Sequence, residues 1–242
     1  MVLAQLPTLS ATRFITIYIA QGLGCAVFAF LAYKILKRDR KRLNIIFSGF
    51  YISPVIGFII NFIYGPLTNV TAVLLLNFLT NFFIFYATSF LVVFNLILLK
   101  SEKVIVKSKQ LSILIGYAIL MFCMLFLLFI PGWGVEITAP TWSPHWMPPF
   151  FIYLMIVESL AVVPTLYLSL QIYKKFEDTT LKRKWKFFIY GFCAFAVFMY
   201  GIFVSNFLDI PIFRTIMGLI GLILALIGSY MLYYGVGRSI SQ

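Results

Sequence analysis

Seven long runs of apolar residues, separated by short polar turns, organise this 242-residue chain. Each run holds about 20 or more mostly apolar residues, which is the length an α-helix needs to cross the hydrocarbon core of a bilayer. The runs cover about 11–36, 43–64, 70–99, 111–130, 150–173, 185–208 and 212–236. The pattern therefore predicts a single all-α domain over residues 1–242, built as a bundle of seven transmembrane helices.

The composition indicates lipid, and not water, as the solvent of this fold. Apolar residues make up 62% of the chain and charged residues 11%, and the mean hydropathy is +1.02. A soluble domain has about a quarter of its residues charged. Because residues 1–13 contain no basic region ahead of the first run, we interpret that run as a retained span and not as a signal peptide. We predict a multi-pass protein of the cell (plasma) membrane.

The basic residues are concentrated in alternate turns. All but two of the 19 Lys and Arg residues lie in or beside the turns that follow run 1, run 3 and run 5, or in the C-terminal tail, and the exceptions are Arg13 and Arg214. An excess of Lys and Arg marks the cytoplasmic side of a membrane protein. The pattern predicts an outside N-terminus and a cytoplasmic C-terminus. Since these residues sit in short turns and form no separate basic domain, we predict no nucleic-acid partner.

Glu158 is the one acidic or basic side chain well inside a run. It lies eight residues into run 5, about 12 Å below the outer boundary at 1.5 Å per residue. A carboxylate in hydrocarbon is costly, so we expect Glu158 to face the bundle interior and to be protonated or paired. One interpretation is that Glu158 contacts a ligand or senses protons. The other is that it forms a structural hydrogen bond between helices.

Further candidate ligand-binding residues lie on the predicted outer side. The loop 131–149 contains Trp142, His145 and Trp146, and the outer ends of runs 6 and 7 contribute Asn206 and Arg214. Tryptophans at a membrane boundary commonly form an aromatic belt. The loop tryptophans are therefore interpreted either as a belt or as the cap of a pocket that opens outward.

Run 3 contains a stripe of polar residues, Asn77, Asn81, Thr88 and Asn95. Their spacings of four, seven and seven residues keep them on one helical face. Such a stripe predicts a helix enclosed by others, with hydrogen bonds across the bundle. The alternative is a polar conduction path.

Run 7 is expected to begin at a capped turn and to pack closely on a neighbour. Asp209 precedes Pro211, the arrangement typical of a helix N-cap. Gly221, Ala225 and Ser229 recur at intervals of four. Small residues spaced in this way allow close approach of two helices.

The chain lacks the residue sets of familiar enzymes and cofactor sites. His145 is its only histidine, which excludes paired haem ligands and a histidine metal cluster. No G-x-S-x-G sequence is present. The three cysteines lie inside apolar runs. We predict no enzyme, no cofactor and no metal site.

Several features together resemble the seven-transmembrane sensory module at the N-terminus of some prokaryotic histidine kinases. They are the basic turn 37–42, the long loop 131–149, the basic entry 181–186 to run 6, the tight turn 208–212 and the glycine-rich end of run 7 before Arg238. The resemblance covers nearly the whole chain and implies a sensory membrane protein. Such modules lead into a cytoplasmic signalling domain, whereas this sequence ends at Gln242. We therefore expect either a separate signalling partner or a different function.

The first functional hypothesis is a receptor-like or sensory membrane protein. It would detect a small ligand or lipid from the outer side and signal to a cytoplasmic protein. Two alternatives remain open. One is a small transporter or channel with a polar path through Glu158 and the run 3 asparagines. The other is a structural subunit of a membrane assembly.

Overall fold

The computed structural model describes residues 14–137 and 143–237. Within these ranges, seven helices are long and apolar enough to cross a membrane, which confirms the predicted all-α, multi-pass bundle. The helices are α1 (Ile15–Arg38), α2 (Arg42–Tyr64), α3 (Val70–Lys100), α4 (Lys107–Leu128), α5 (Pro148–Lys175), α6 (Thr179–Leu208) and α7 (Pro211–Val236). Arg13, Trp142 and Arg238 lie outside the described residues.

Several helices begin earlier in the chain than the apolar runs. The fourth begins at Lys107 where the run begins at about 111, and the sixth begins at Thr179 where the run begins at about 185. Both extensions are rich in lysine. Long basic side chains keep their apolar stems on the helix while their charged ends reach the headgroup region. The helices therefore continue past the hydrocarbon boundary that hydropathy detects.

Two ends of the bundle are distinguished by their turns. The end formed by turns 39–41, 101–106 and 176–178 is called the basic end, because the lysines and arginines gather there. The opposite end contains residues 129–137 and 143–147 and is called the hairpin end. Successive helices run in opposite directions, so α3 and α5 are parallel and both run from the hairpin end to the basic end.

Helix α3 is the centre of the bundle. It packs against α2, α4 and α5. More of its residues are buried than in any of the other six helices. Helix α6 packs mainly on α7 and also contacts α5, while α1 packs on α2 and touches α7. This arrangement places the polar stripe of α3 in the interior.

The loop at the hairpin end contains two short strands that hydropathy did not predict. Strand β1 (Val135–Ile137) pairs antiparallel with β2 (Pro144–Trp146). Val135 lies opposite Trp146, and both are buried. Since β1 contacts α3 and β2 contacts α6, the hairpin covers this end of the bundle.

The expectation that Asp209 caps the start of run 7 is wrong. The N-cap residue of α7 is Ile210, which makes no side-chain cap hydrogen bond. Asp209 instead ends α6 in the left-handed conformation, with φ of 51°. Pro211 is the first residue of α7, where its missing N–H has no helical partner to lose.

Candidate functional site

Glu158 lies in the interior, where α3, α4 and α5 meet. Its side chain is fully buried. The hydroxyl of Tyr117, on α4, donates a hydrogen bond to Glu158 Oε2 at 3.0 Å. The side chain of Thr88, on α3, lies beside the same carboxyl group. One acid therefore connects three helices in the middle of the bundle.

The second oxygen of this carboxyl group has no such contact. Glu158 Oε1 is buried and has no hydrogen-bond partner among residues 14–137 and 143–237. A buried polar atom without a partner costs about 1–3 kcal/mol. A merely structural acid would be expected to satisfy both oxygens, so the arrangement favours a site with a second use.

A groove of about 240 Å³ lies next to this acid, between α3, α4 and α5. Tyr117 forms part of its wall, so a single side chain contacts both the groove and Glu158. The groove opens toward the outer surface of the bundle, because Ser112, Gly116 and Leu160 in its wall are exposed. The other lining residues are Ser89, Val92, Ile113, Leu120 and Ala161.

All four polar residues of the α3 stripe are buried. Toward the hairpin end, Asn77 donates to the Tyr64 hydroxyl of α2 at 2.9 Å, and Asn81 donates to Asn77 Oδ1 at 3.0 Å. Thr88 lies in the middle, at Glu158. The stripe therefore contacts different helices at different depths and does not line one continuous opening.

Asn95 forms the polar contact of the stripe nearest the basic end. Its amide donates to the Ser169 hydroxyl at 2.8 Å and to the Thr165 carbonyl at 3.1 Å, both on α5. The indole of Trp185, on α6, donates to the Ser169 carbonyl at 2.8 Å. Asn95 Oδ1 and Thr165 Oγ1 are buried without a hydrogen-bond partner in the described part of the chain.

Four of the predicted ligand-binding residues lie at the hairpin end, away from Glu158. Arg214 Nη2 is 2.9 Å from Asp209 Oδ1 and donates to the Pro144 carbonyl at 2.9 Å. His145 Nδ1 lies 3.9 Å from Asp209 Oδ2. Asn206 is half-buried, one turn before Asp209 on α6. The charged residues of this cluster tie the hairpin to the α6–α7 turn.

Trp146 is the fourth of these residues, and it packs beneath the hairpin. It is fully buried, with ring centroids 5.3 Å from Phe150, 5.5 Å from Phe203 and 6.4 Å from Phe85. These rings form the aromatic layer. Phe85 precedes Thr88 by one helical turn and Phe150 precedes Glu158 by two, so the layer separates the hairpin end from the buried acid.

The structure therefore divides the predicted ligand-binding set into Glu158 and a hairpin-end group, with Trp142 outside the described residues. Sequence reasoning missed Tyr117 and the groove. A signal for the groove was present, since Ser112 and Gly116 are small residues four apart on one face of α4. No signal pairs Tyr117 with Glu158, because 41 positions separate them.

Comparison with known proteins identifies no family for this chain. No family model, no curated protein and no solved structure matches it. The resemblance to sensory modules of histidine kinases stays a prediction, and the function is argued from the site.

Proposed function

We propose that this chain is a receptor-like, sensory membrane protein that binds a small lipophilic molecule or lipid beside Tyr117 and Glu158. One observation carries the proposal. Tyr117 forms part of the groove wall and also donates the hydrogen bond to the buried acid. A molecule that moves the Tyr117 ring or competes for its hydroxyl changes the contact between α4 and α5.

The contacts of Arg42 support transmission of that change to the basic end. Arg42 begins α2, and its guanidinium donates to the Ile105 carbonyl at 2.6 Å and to Gln110 Oε1 at 2.9 Å. It thereby links α2 to the first turn of α4. A small shift of α4 would change the position of turn 101–106, and a separate signalling protein could detect that change. We propose that this end faces the cytoplasm of the cell.

The route of entry that we propose is lateral, from the bilayer. The aromatic layer and the hairpin cover the direct path from the hairpin end to Glu158. The groove, in contrast, opens on the surface that faces lipid. This differs from the outer-side entry that the sequence suggested, and it favours ligands that partition into membranes.

Hydrogen–deuterium exchange of the protein in lipid nanodiscs tests the coupling. Tyr117→Phe removes the hydrogen bond to Glu158, and we expect faster exchange in turn 101–106. Tyr153→Phe is the matched control, because the Tyr153 hydroxyl of α5 also bonds α4, at the Leu120 carbonyl, without touching Glu158. An unchanged turn in Tyr117→Phe, or an equal change in both variants, would contradict the proposal.

Transport is the second candidate. Three buried oxygens without partners among the described residues lie on the facing sides of α3 and α5: Glu158 Oε1, Thr165 Oγ1 and Asn95 Oδ1. They would suit a proton path, although the aromatic layer closes its hairpin end in this conformation. Proton flux into liposomes that is lost in Glu158→Gln would favour transport over sensing.

A further inference from the structure

Ser112 is the groove residue of α4 that lies nearest the basic end of the bundle, where α4 begins. Ser112 and Gly116 line the groove on α4, and the same helical face continues one turn earlier at Ser108 and Lys109, by the spacing of four residues. On α3 the face that contains Val92 continues to Lys100, eight residues on. At 1.5 Å per residue along the helix axes, Lys109 lies about 4.5 Å from Ser112 and Lys100 lies about 12 Å from Val92.

The residues around this end of the groove are strongly basic. Lys100, Lys103, Lys107 and Lys109 are all exposed, and the acidic residue among them is Glu102. Lys109 Nζ donates a long hydrogen bond, at 3.4 Å, to the Val104 carbonyl. The N-terminus of α4 adds partial positive charge. This surface therefore attracts an anion at the level of the lipid headgroups.

The size and lining of the groove define what fits beside Tyr117. Its volume of about 240 Å³ lies below the 300–1,000 Å³ typical of sites for drug-sized molecules. Its walls are apolar except for the hydroxyls of Ser89, Ser112 and Tyr117. Such a small, mostly apolar groove suits one hydrocarbon chain better than a compact polar ligand.

We infer that this groove binds one acyl chain of an anionic phospholipid from the leaflet at the basic end, with the headgroup at Lys100 and Lys109. Basic residues between transmembrane helices commonly hold anionic headgroups. The chain runs along Ser112 and Gly116 to the ring of Tyr117. The inference rests on the proposed function for what the lipid does, whereas its binding can be measured independently.

Native mass spectrometry of the full chain, released from phosphatidylcholine nanodiscs that contain a minor fraction of phosphatidylglycerol, tests the acyl-chain site. We expect one phosphatidylglycerol retained per chain. Gly116→Leu fills the groove and should abolish that retention. Gly218→Leu is the matched control, because a Cβ at either glycine would have nothing within 4 Å. Both variants should therefore fold, and only the first should lose the lipid.

Charge substitutions test the headgroup site. Each lysine near an anionic surface contributes on the order of fivefold to affinity, so Lys100→Gln with Lys109→Gln should weaken retention roughly thirtyfold. Lys34→Gln with Lys37→Gln removes two exposed lysines of α1, elsewhere at the basic end, and should leave retention unchanged.

Three results would overturn the inference: equal retention by Gly116→Leu and Gly218→Leu, equal retention of phosphatidylcholine, or binding of added oleate in place of phosphatidylglycerol. Failure of the proposed function is distinguishable from these. If phosphatidylglycerol binds but Tyr117→Phe leaves hydrogen–deuterium exchange in turn 101–106 unchanged, the lipid site is supported and the proposal of sensing through Tyr117 is contradicted. If the turn responds but no phosphatidylglycerol is retained, the lipid site alone fails.

Discussion

At the scale of residues, the proposed function depends on the hydrogen bond between Tyr117 and Glu158. An acid in hydrocarbon is costly, and Glu158 accepts a hydrogen bond from the Tyr117 phenol and lies beside Thr88, with no cationic partner among the described residues. Glu158 could be singled out from the sequence because apolar neighbours surround it on both sides. Tyr117 could not, since tyrosine is common in membrane helices and its partner lies on another helix.

Removal of the Tyr117 hydroxyl should destabilise the bundle. Tyr117→Phe leaves a buried carboxyl oxygen without its donor, and we expect a loss of about 1–3 kcal/mol in the free energy of unfolding. Equilibrium unfolding in mixed micelles measures it. Adding Glu158→Leu removes both partners and should recover much of the loss, because two apolar groups leave no polar atom unpaired. Independent, additive losses would contradict the coupling.

At the scale of elements, the contact between α6 and α7 depends on two glycines. A Cβ at Gly191 would lie 2.6 Å from the Gly228 carbonyl oxygen, and one at Gly228 would lie 2.7 Å from the Gly191 carbonyl oxygen. The small-residue pattern of run 7 correctly predicted close packing, and Gly221 does face Phe198 of α6. It could not predict Gly191 as the partner, because that depends on how the two helices cross.

Alanine substitutions should separate packing from helix propensity. Gly191→Ala forces the two backbones apart, and we expect a loss of about 1–3 kcal/mol in unfolding free energy from overpacking. Gly218→Ala, on the open face of α7, should instead stabilise by about 0.5–1 kcal/mol, since alanine favours helix. Thermal unfolding of both purified variants measures the difference. The same sign of change in both would contradict this account of the contact.

The hairpin illustrates an element that local pattern did not predict. Each of its strands has three residues, too few for a clear alternation of apolar and polar positions. Its position depends on Arg214, which reaches the Pro144 carbonyl across 70 residues of sequence. Tertiary contacts of this kind cannot be predicted from the hydropathy of the sequence.

At the scale of the whole molecule, the two ends of the bundle differ in charge and in covering. The helix ends and turns at the basic end contain most of the lysines and arginines, and the hairpin end is covered by β1, β2 and the aromatic layer. This asymmetry supports our proposal of a sensory protein that binds a ligand within the membrane and presents a basic surface to a partner. The orientation that we propose follows from the charge alone.

Labelling of single cysteines tests the orientation. Cys25, Cys123 and Cys193 are first replaced by alanine, and one cysteine is then introduced at an exposed position, Glu136→Cys at the hairpin end or Lys103→Cys at the basic end. In intact cells, a membrane-impermeant maleimide should label the first and not the second. Labelling of Lys103→Cys before permeabilisation would show that the orientation is opposite to the one proposed.

Hydropathy and charge by themselves determined the number of spans, their approximate limits and the expected orientation, because these depend on the free energy of transferring residues into lipid and not on which helices touch. They also located Glu158, whose burial cost is a property of its own run. Only the tertiary structure decided that Tyr117 pairs with it, that Trp146 packs under a hairpin, and that a groove between α3, α4 and α5 opens on the outer surface of the bundle. Those features arise from contacts between helices distant in sequence, where register and crossing geometry determine which side chains meet.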